Sequence, residues 1–291
     1  MTNRDIDLYL RRVNQGGGLV AHRLRLAARY ALMLLIAAVM LGPFIWLLYL
    51  SLRMDGKVYD WPTSIRVFSL ESYSTVLREF PIGTAFKNSV IVAVVTVFLT
   101  VIVASLAAYP LARYDFYGRN VVFLGILSTL MVPFQLYLIP LFMLTTNTLH
   151  LGNTLTGAVL PFIASVFGIY LIKQFYSSVP RDMEEAARVD GASELRVWWQ
   201  VMFPLTKPAV ATLSIFTFVG SWSSFLWPLI VLGDDQKQTL PVALAMLTGS
   251  FVERTSFLAA GSVIAVAPVI VFFLLFQRWF LGGMTIGAVK G

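Results

Sequence analysis

The chain has 291 residues, 58% of them hydrophobic and only 13% charged, with a formal net charge of +7. A soluble domain carries roughly 25% charged residues, so too little polar surface is left to cover a water-facing globule, and a disordered chain is excluded for the same reason. With no cysteine and two histidines, His22 and His150, disulfides, zinc–thiolate sites, iron–sulfur clusters and a cysteine nucleophile are excluded and histidine chemistry has little room. An all-α, polytopic membrane protein remains, because a membrane β-barrel would show short alternating segments instead of long apolar runs.

A crossing helix needs about 20 apolar residues. In chain order, the charge-poor stretches predict six spans at about 30–52, 88–112, 120–145, 154–176, 208–233 and 255–277. The third and fourth come from one uncharged run, 120–172, divided at a polar break that includes Asn147, His150 and Asn153. The first span is too long for a signal peptide and no cleavage site follows it. Residues 1–29 form a basic segment before the spans, residues 16–18 being three glycines that suggest a linker, and residues 281–291 form a tail. Proline at 43, 110, 133, 140, 161, 228 and 268 predicts kinks or breaks, as expected for helices that rock or simply for membrane helices.

Six spans place both termini on one side. That side, residues 1–29, 113–119, 173–207 and 278–291, holds 15 Lys/Arg against 8 Asp/Glu, whereas the other holds 7 of each. Positive charge stays inside, so both termini are expected in the cytoplasm. The N-terminal arginines suit topology and anionic lipid rather than nucleic acid, since no nucleic-acid-binding module accompanies them.

No G-x-x-x-x-G-K-[ST] sequence is present, so the chain has no Walker-type ATP site. No span carries an ionisable group near its centre, which argues against a self-sufficient ion-coupled carrier. Neither an enzyme activity nor a bound metal or cofactor is expected of this chain. Uncharged polar groups within spans, Asn88, Gln135, Tyr137, Ser221 and Ser224, with Trp222 beside the last two, are candidates for lining a solute path. Hydroxyls next to tryptophan suit sugar recognition, and they suit helix packing or an interfacial aromatic belt equally well.

The loop 177–207 reads as a helical hairpin. Asp182 is placed to cap a short helix, with Glu185 closing a capping box and Glu184 and Arg188 at i,i+4 spacing. Gly191 is placed to end that helix in the left-handed conformation. Ser193 can cap a second piece, 194–203, in which Trp198 and Trp199 could anchor the hairpin to the bundle, and Pro204 ends it. Ala186 and Ala187 permit close approach by another surface, although spacing alone fits an ordinary solvated loop as well.

The run Glu185-Ala186-Ala187, three residues, Gly191, nine residues, Val201-Met202-Phe203-Pro204 resembles the EAA motif of ABC-importer permeases, with valine and phenylalanine in place of isoleucine and leucine. Asp190-Gly191-Ala192 matches its common wording. The segment 70–77 with Phe86-Lys87-Asn88-Ser89 resembles carbohydrate-type permeases, and the ending 282–291 is similar to the subunit type represented by the smaller permease of the maltose transporter. The resemblance implies a type I permease fold in the bacterial inner membrane. It implies a second related permease, two ATPase subunits carrying ATP and Mg, and an external solute-binding protein. Glu184, Glu185, Ala186, Ala187, Asp190, Gly191 and Pro204 would then couple to the ATPase, and Met284, Thr285, Gly287 and Lys290 would reach it from the tail. The solute would be a sugar, oligosaccharide or polyol, with a peptide or amino acid as the alternative.

Overall fold

The computed structural model describes residues 3–53, 68–250 and 255–288. Apart from a single bridge between Arg53 and Phe68, these residues form helices and their connections. The chain begins with α1 (Asn3–Ser51), one helix of 49 residues. It runs through the three glycines read as a linker. Once a helix is started each further residue adds a hydrogen bond, so flanking Leu, Arg and Ala carry it across weak positions.

After α2 (Glu71–Glu79) comes α3 (Ile82–Arg113). Its length and apolar character suit a crossing, as do those of His22–Ser51 in α1 and Thr255–Leu275 in α13 (Thr255–Ala288). Three further candidate spans are bent pairs, giving up to six. The first pair is α4 (Arg119–Met131) and α5 (Phe134–Thr148), bent by 98°. The third span predicted over 120–145 is therefore broken at Val132–Pro133, the latter one of the prolines at which a kink or break is expected. Proline disfavours a helical residue before it, and Val132 is extended. The second pair, α6 (Leu155–Phe162) and α7 (Val166–Ser178), bends by 47°. Here both helices have side-chain caps, since the N–H groups of Gly157 and Gly168 donate to Thr154 Oγ1 and Ser165 Oγ.

The hairpin helices α8 (Asp182–Val189) and α9 (Glu194–Leu205) follow. A 78° bend at Thr206 leads from α9 into α10 (Lys207–Trp222). The fifth predicted span, 208–233, is split: α10 ends at Trp222, and a short α11 (Leu226–Val231) begins after Ser223–Phe225. Then come α12 (Leu240–Ser250) and α13, which continues past the predicted end at 277 and through most of the expected tail. In the sequence Phe280, Leu281 and Met284 recur at helical spacing, and a continued helix satisfies its own backbone.

At the centre, α3 packs against α7 and α10, while α1 lies along α13. Gly168 on α7 marks the closest approach: a Cβ there would stand 2.9 Å from Leu213 Cδ1 and 3.1 Å from the Ala104 Cβ. Small residues allow such crossings in membranes, where packing rather than the hydrophobic effect holds helices together. One buried cluster, including Ala108, Ile172, Tyr176, Val197, Met202 and Leu213, unites α3, α7, α9 and α10 at the hairpin end. A second joins α2, α3, α10, α12 and α13 at the other end.

Candidate functional site

The hairpin is held by its own backbone. Gly191 has φ +81°. Its N–H donates to the Arg188 carbonyl, and the Ala192 N–H donates to the Ala187 carbonyl. This pair of bonds is the Schellman arrangement that the glycine predicts. No atom lies within 4 Å of a Cβ built on Gly191, so the need for glycine is conformational rather than steric. The predicted cap at Asp182 is corrected: Arg181 occupies the cap position without a side-chain bond, and Asp182 is already helical. Asp182, Glu184 and Glu185 all fall in the first turn, where the helix dipole favours negative charge. Ser193 stands at the cap position of α9 but makes no capping bond.

The two glutamates diverge. Glu184 is 2% exposed and Glu185 lies on the surface. Arg113, at the end of α3, places Nε 2.5 Å from Glu184 Oε1, and its NH2 group donates to the Val179 carbonyl at 2.8 Å. Tyr109 donates to Glu184 Oε2 at 3.2 Å, and Arg188 also reaches that oxygen, at 3.3 Å. Glu194 closes the network: it accepts from Arg188 Nε at 2.7 Å and from the Tyr114 hydroxyl at 2.7 Å. Hydrogen bonds from Arg188 and Tyr114 hold the Glu194 carboxyl down to about 2. The bond to Glu194 in turn raises Arg188, while burial first and that carboxylate second raise Tyr114. Below the network, Trp198 Nε1 donates to Ser105 Oγ at 3.0 Å, and Ser105 meets Tyr176 at 2.6 Å. Trp198 is thus the buried anchor, whereas Trp199 is exposed and stacks on Phe203.

The residues expected to couple to an ATPase therefore fall on two faces. Glu185, Ala186, Asp190 and Gly191 are exposed, with Met183 and Val189 beside them. Glu184 was expected among the docking residues and instead points inward, because it pairs with Arg113. Ala187 is half-buried against the hairpin-end core. Pro204 lies within α9, whose last residue is Leu205. Sequence reading missed Tyr109, Arg113, Tyr114 and Glu194. The signal available was helical spacing, which puts Glu184 with Arg188 on one face and Glu185 on another.

The candidate path residues also separate. Ser221 and Ser224 line a cavity of about 330 Å³ with Thr96, Phe162, Phe216 and Thr217. Asn88 is corrected from lining to structure: it is buried, and its amide donates to the carbonyls of Gln236 and Gln238 at 2.9 and 3.0 Å. Trp222 is buried too, and its Nε1 donates to the Ala265 carbonyl. Gln135 and Tyr137 are exposed on α5 and are not among the residues lining that cavity. Met284, Thr285 and Gly287 lie on the backbone of α13, and Lys290 lies outside the described residues. Among the described residues no group of three or more His, Asp or Glu side chains is placed to hold a metal ion.

This bundle of bent helices with a structured hairpin between α7 and α10 is that of a type I importer permease. Residues 100–285 match the family of binding-protein-dependent transport system inner membrane components, and the chain belongs to that family. It is 40% identical to the arabinooligosaccharides transport system permease protein AraQ of Bacillus subtilis, over 78% of this chain and 80% of that one. It is 33% identical to the diacetylchitobiose uptake system permease protein NgcG of Streptomyces coelicolor, over 91% and 89%. The trehalose/maltose transport system permease protein MalG of Thermococcus litoralis is 31% identical over 89% and 94%. Among solved structures, a chain of a bacterial ABC transporter involved in the import of the acidic polysaccharide alginate superposes with a TM-score of 0.77 at 25% identity, covering 89% of this chain and 97% of that one.

Proposed function

We propose that the chain is the permease subunit of an ATP-driven, binding-protein-dependent importer for a sugar, oligosaccharide or polyol. It forms half of the translocation path, a second permease supplies the other half, and two ATPase subunits bind ATP and Mg. Both termini face the cytoplasm. The observation that carries the reading is the outer face of α8. A short helix fixed by a glycine turn presents Glu185, Ala186 and two exposed apolar side chains, Met183 and Val189, to a partner. The solute class rests on relatives named for arabinooligosaccharides, diacetylchitobiose and trehalose or maltose, which favours carbohydrate over peptide or amino acid. The hydroxyl- and phenylalanine-lined cavity at the α10–α11 break suits a path for polar rings, with Ser221 and Ser224 as its lining. The tail residues Met284, Thr285, Gly287 and Lys290 remain part of the proposed ATPase contact.

The test is purification from a membrane holding the whole operon. An ATPase should accompany the chain, and uptake of labelled oligosaccharide should stop when ATP is depleted while ion gradients are held. Uptake that survives ATP depletion would point to a self-sufficient carrier. For topology, a phosphatase reporter fused after Tyr73 should be active outside and one after Arg188 silent.

A further inference from the structure

Glu184 does nothing for a docking surface, since it is buried. The ion pair it makes is nevertheless the most enclosed charge contact described in this chain, with side-chain exposures of 5% and 2% for Arg113 and Glu184. A buried ion pair is a weak source of stability, because its attraction barely offsets the desolvation of two charges. It does impose a direction: an orphaned buried charge is costly, so the two groups stay together when their elements move. The elements here are distinct. Arg113 ends α3, which packs on both α7 and α10 at the centre of the bundle. Glu184 belongs to α8, and through Arg188 and Glu194 it is tied to α9. The Arg113 bond to the Val179 carbonyl and the Tyr109 bond to Glu184 close the joint from the α7 side and from α3. A force applied to the outer face of α8 thus meets a charge contact on the inner face of the same helix, and that contact ends on α3, the most buried of the three long candidate spans.

We propose that the Arg113–Glu184 pair is the joint that passes movement of the hairpin into α3, which makes both of them positioning residues for energy coupling. The proposal rests on the reading of the chain as an ATP-driven permease. Without the joint, the ATPase still docks on the outer face and still hydrolyses ATP, but less of each cycle reaches the membrane helices.

The test is the double variant Arg113→Met with Glu184→Met in the assembled importer in vesicles. Replacing both charges leaves no buried orphan, so the fold is expected to persist. Membrane abundance and ATPase co-purification should stay at wild-type levels, while sugar taken up per ATP hydrolysed falls about tenfold, within the usual range of coupling between sites. That ratio does not depend on how much protein is present. A ratio equal to wild type overturns the proposal. Glu184→Gln, which keeps the side-chain shape but leaves Arg113 without its charged partner, is the second arm; its abundance should fall below that of the double variant, and the ratio in the protein that remains should fall in the same direction. Low abundance in both variants with an unchanged ratio in the protein that remains makes the pair a folding element only, and overturns the proposal as well. Wild-type chain that brings down no ATPase would instead break the importer reading itself.

Discussion

Glu184 and Glu185 are neighbours on one short helix, yet they meet opposite environments. Glu184 is enclosed by Arg113, Tyr109 and Arg188, whereas Glu185 is exposed beside Ala186. The inner face is a charge network whose parts come from α3, α8 and α9. The outer face is small and partly apolar, with Val189 87% exposed. The lesson is that identical side chains on one helix can serve internal rigidity and external contact at once, provided a turn of about 100° per residue separates them. Substitutions on each face should therefore fail in different ways.

The largest effect on the fold is expected from Arg113→Ala. It strands Glu184 as a buried charge, a change that costs about 3–5 kcal/mol in comparable pairs. Thermal unfolding of the purified complex should show it as a lowered midpoint with reduced membrane abundance. An unchanged midpoint would mean that water reaches Glu184.

Next comes Gly191→Val. The left-handed conformation penalises a side chain by roughly 1–2 kcal/mol, and more for a β-branched one. Gly191→Asn should recover most of the loss, because asparagine tolerates that conformation. Equal effects of valine and asparagine would show that bulk and not backbone is limiting, against the empty space around this residue.

Smaller again is Arg188→Ala. Arg188 and Glu194 are 36% and 51% exposed, and exposed pairs contribute up to about 1 kcal/mol. The pair also has a pH signature. The Glu194 carboxyl is lowered from 4.5 to about 2 in the folded chain, so its stabilisation is fully present above about 4.5 and is lost as pH falls through about 2. Arg188→Ala should lower the neutral plateau of a stability-versus-pH curve by up to about 1 kcal/mol and converge with wild type as pH falls through about 2, so that the acid limb is flatter.

What could be read in advance follows the range of the interaction. Apolar runs, Gly191 and the polar turn near His150 and Asn153 are local patterns, and both of those residues do adopt positive φ. Pro133 was visible as a break, but the 98° angle depends on how α4 and α5 pack. The glycines at 16–18 misled because helix continuation is cooperative and not residue by residue. Arg113 and Asn88 looked like a topology charge and a path residue because their partners, Glu184 and the carbonyls of Gln236 and Gln238, lie far along the chain. No spacing rule connects such positions. The inward turn of Glu184 was accessible from helical periodicity, but only the burial of α8 against α3 decides which face is which.

The sharpest test of the outer face is also the gentlest on the fold. Ala187 is an unsuitable site for it, since Ala187 packs against the hairpin-end core and a large side chain there would pry α8 from α9. Ala186 is exposed, so Ala186→Trp should alter stability by no more than about 0.5 kcal/mol, as surface changes usually do. Helix propensity changes little and no hydrogen bond is lost. The indole would nevertheless stand where a partner must approach closely, between Glu185 and the apolar Met183 and Val189. Abundance and the unfolding midpoint should match wild type, while uptake and ATPase co-purification are lost together. That outcome is the reverse of the one expected for the Arg113 and Glu184 substitutions to methionine, in which the ATPase stays bound and only the yield per ATP falls. Wild-type uptake by Ala186→Trp would move the docking surface off this face of α8, and the two glutamates would then differ in burial without differing in function.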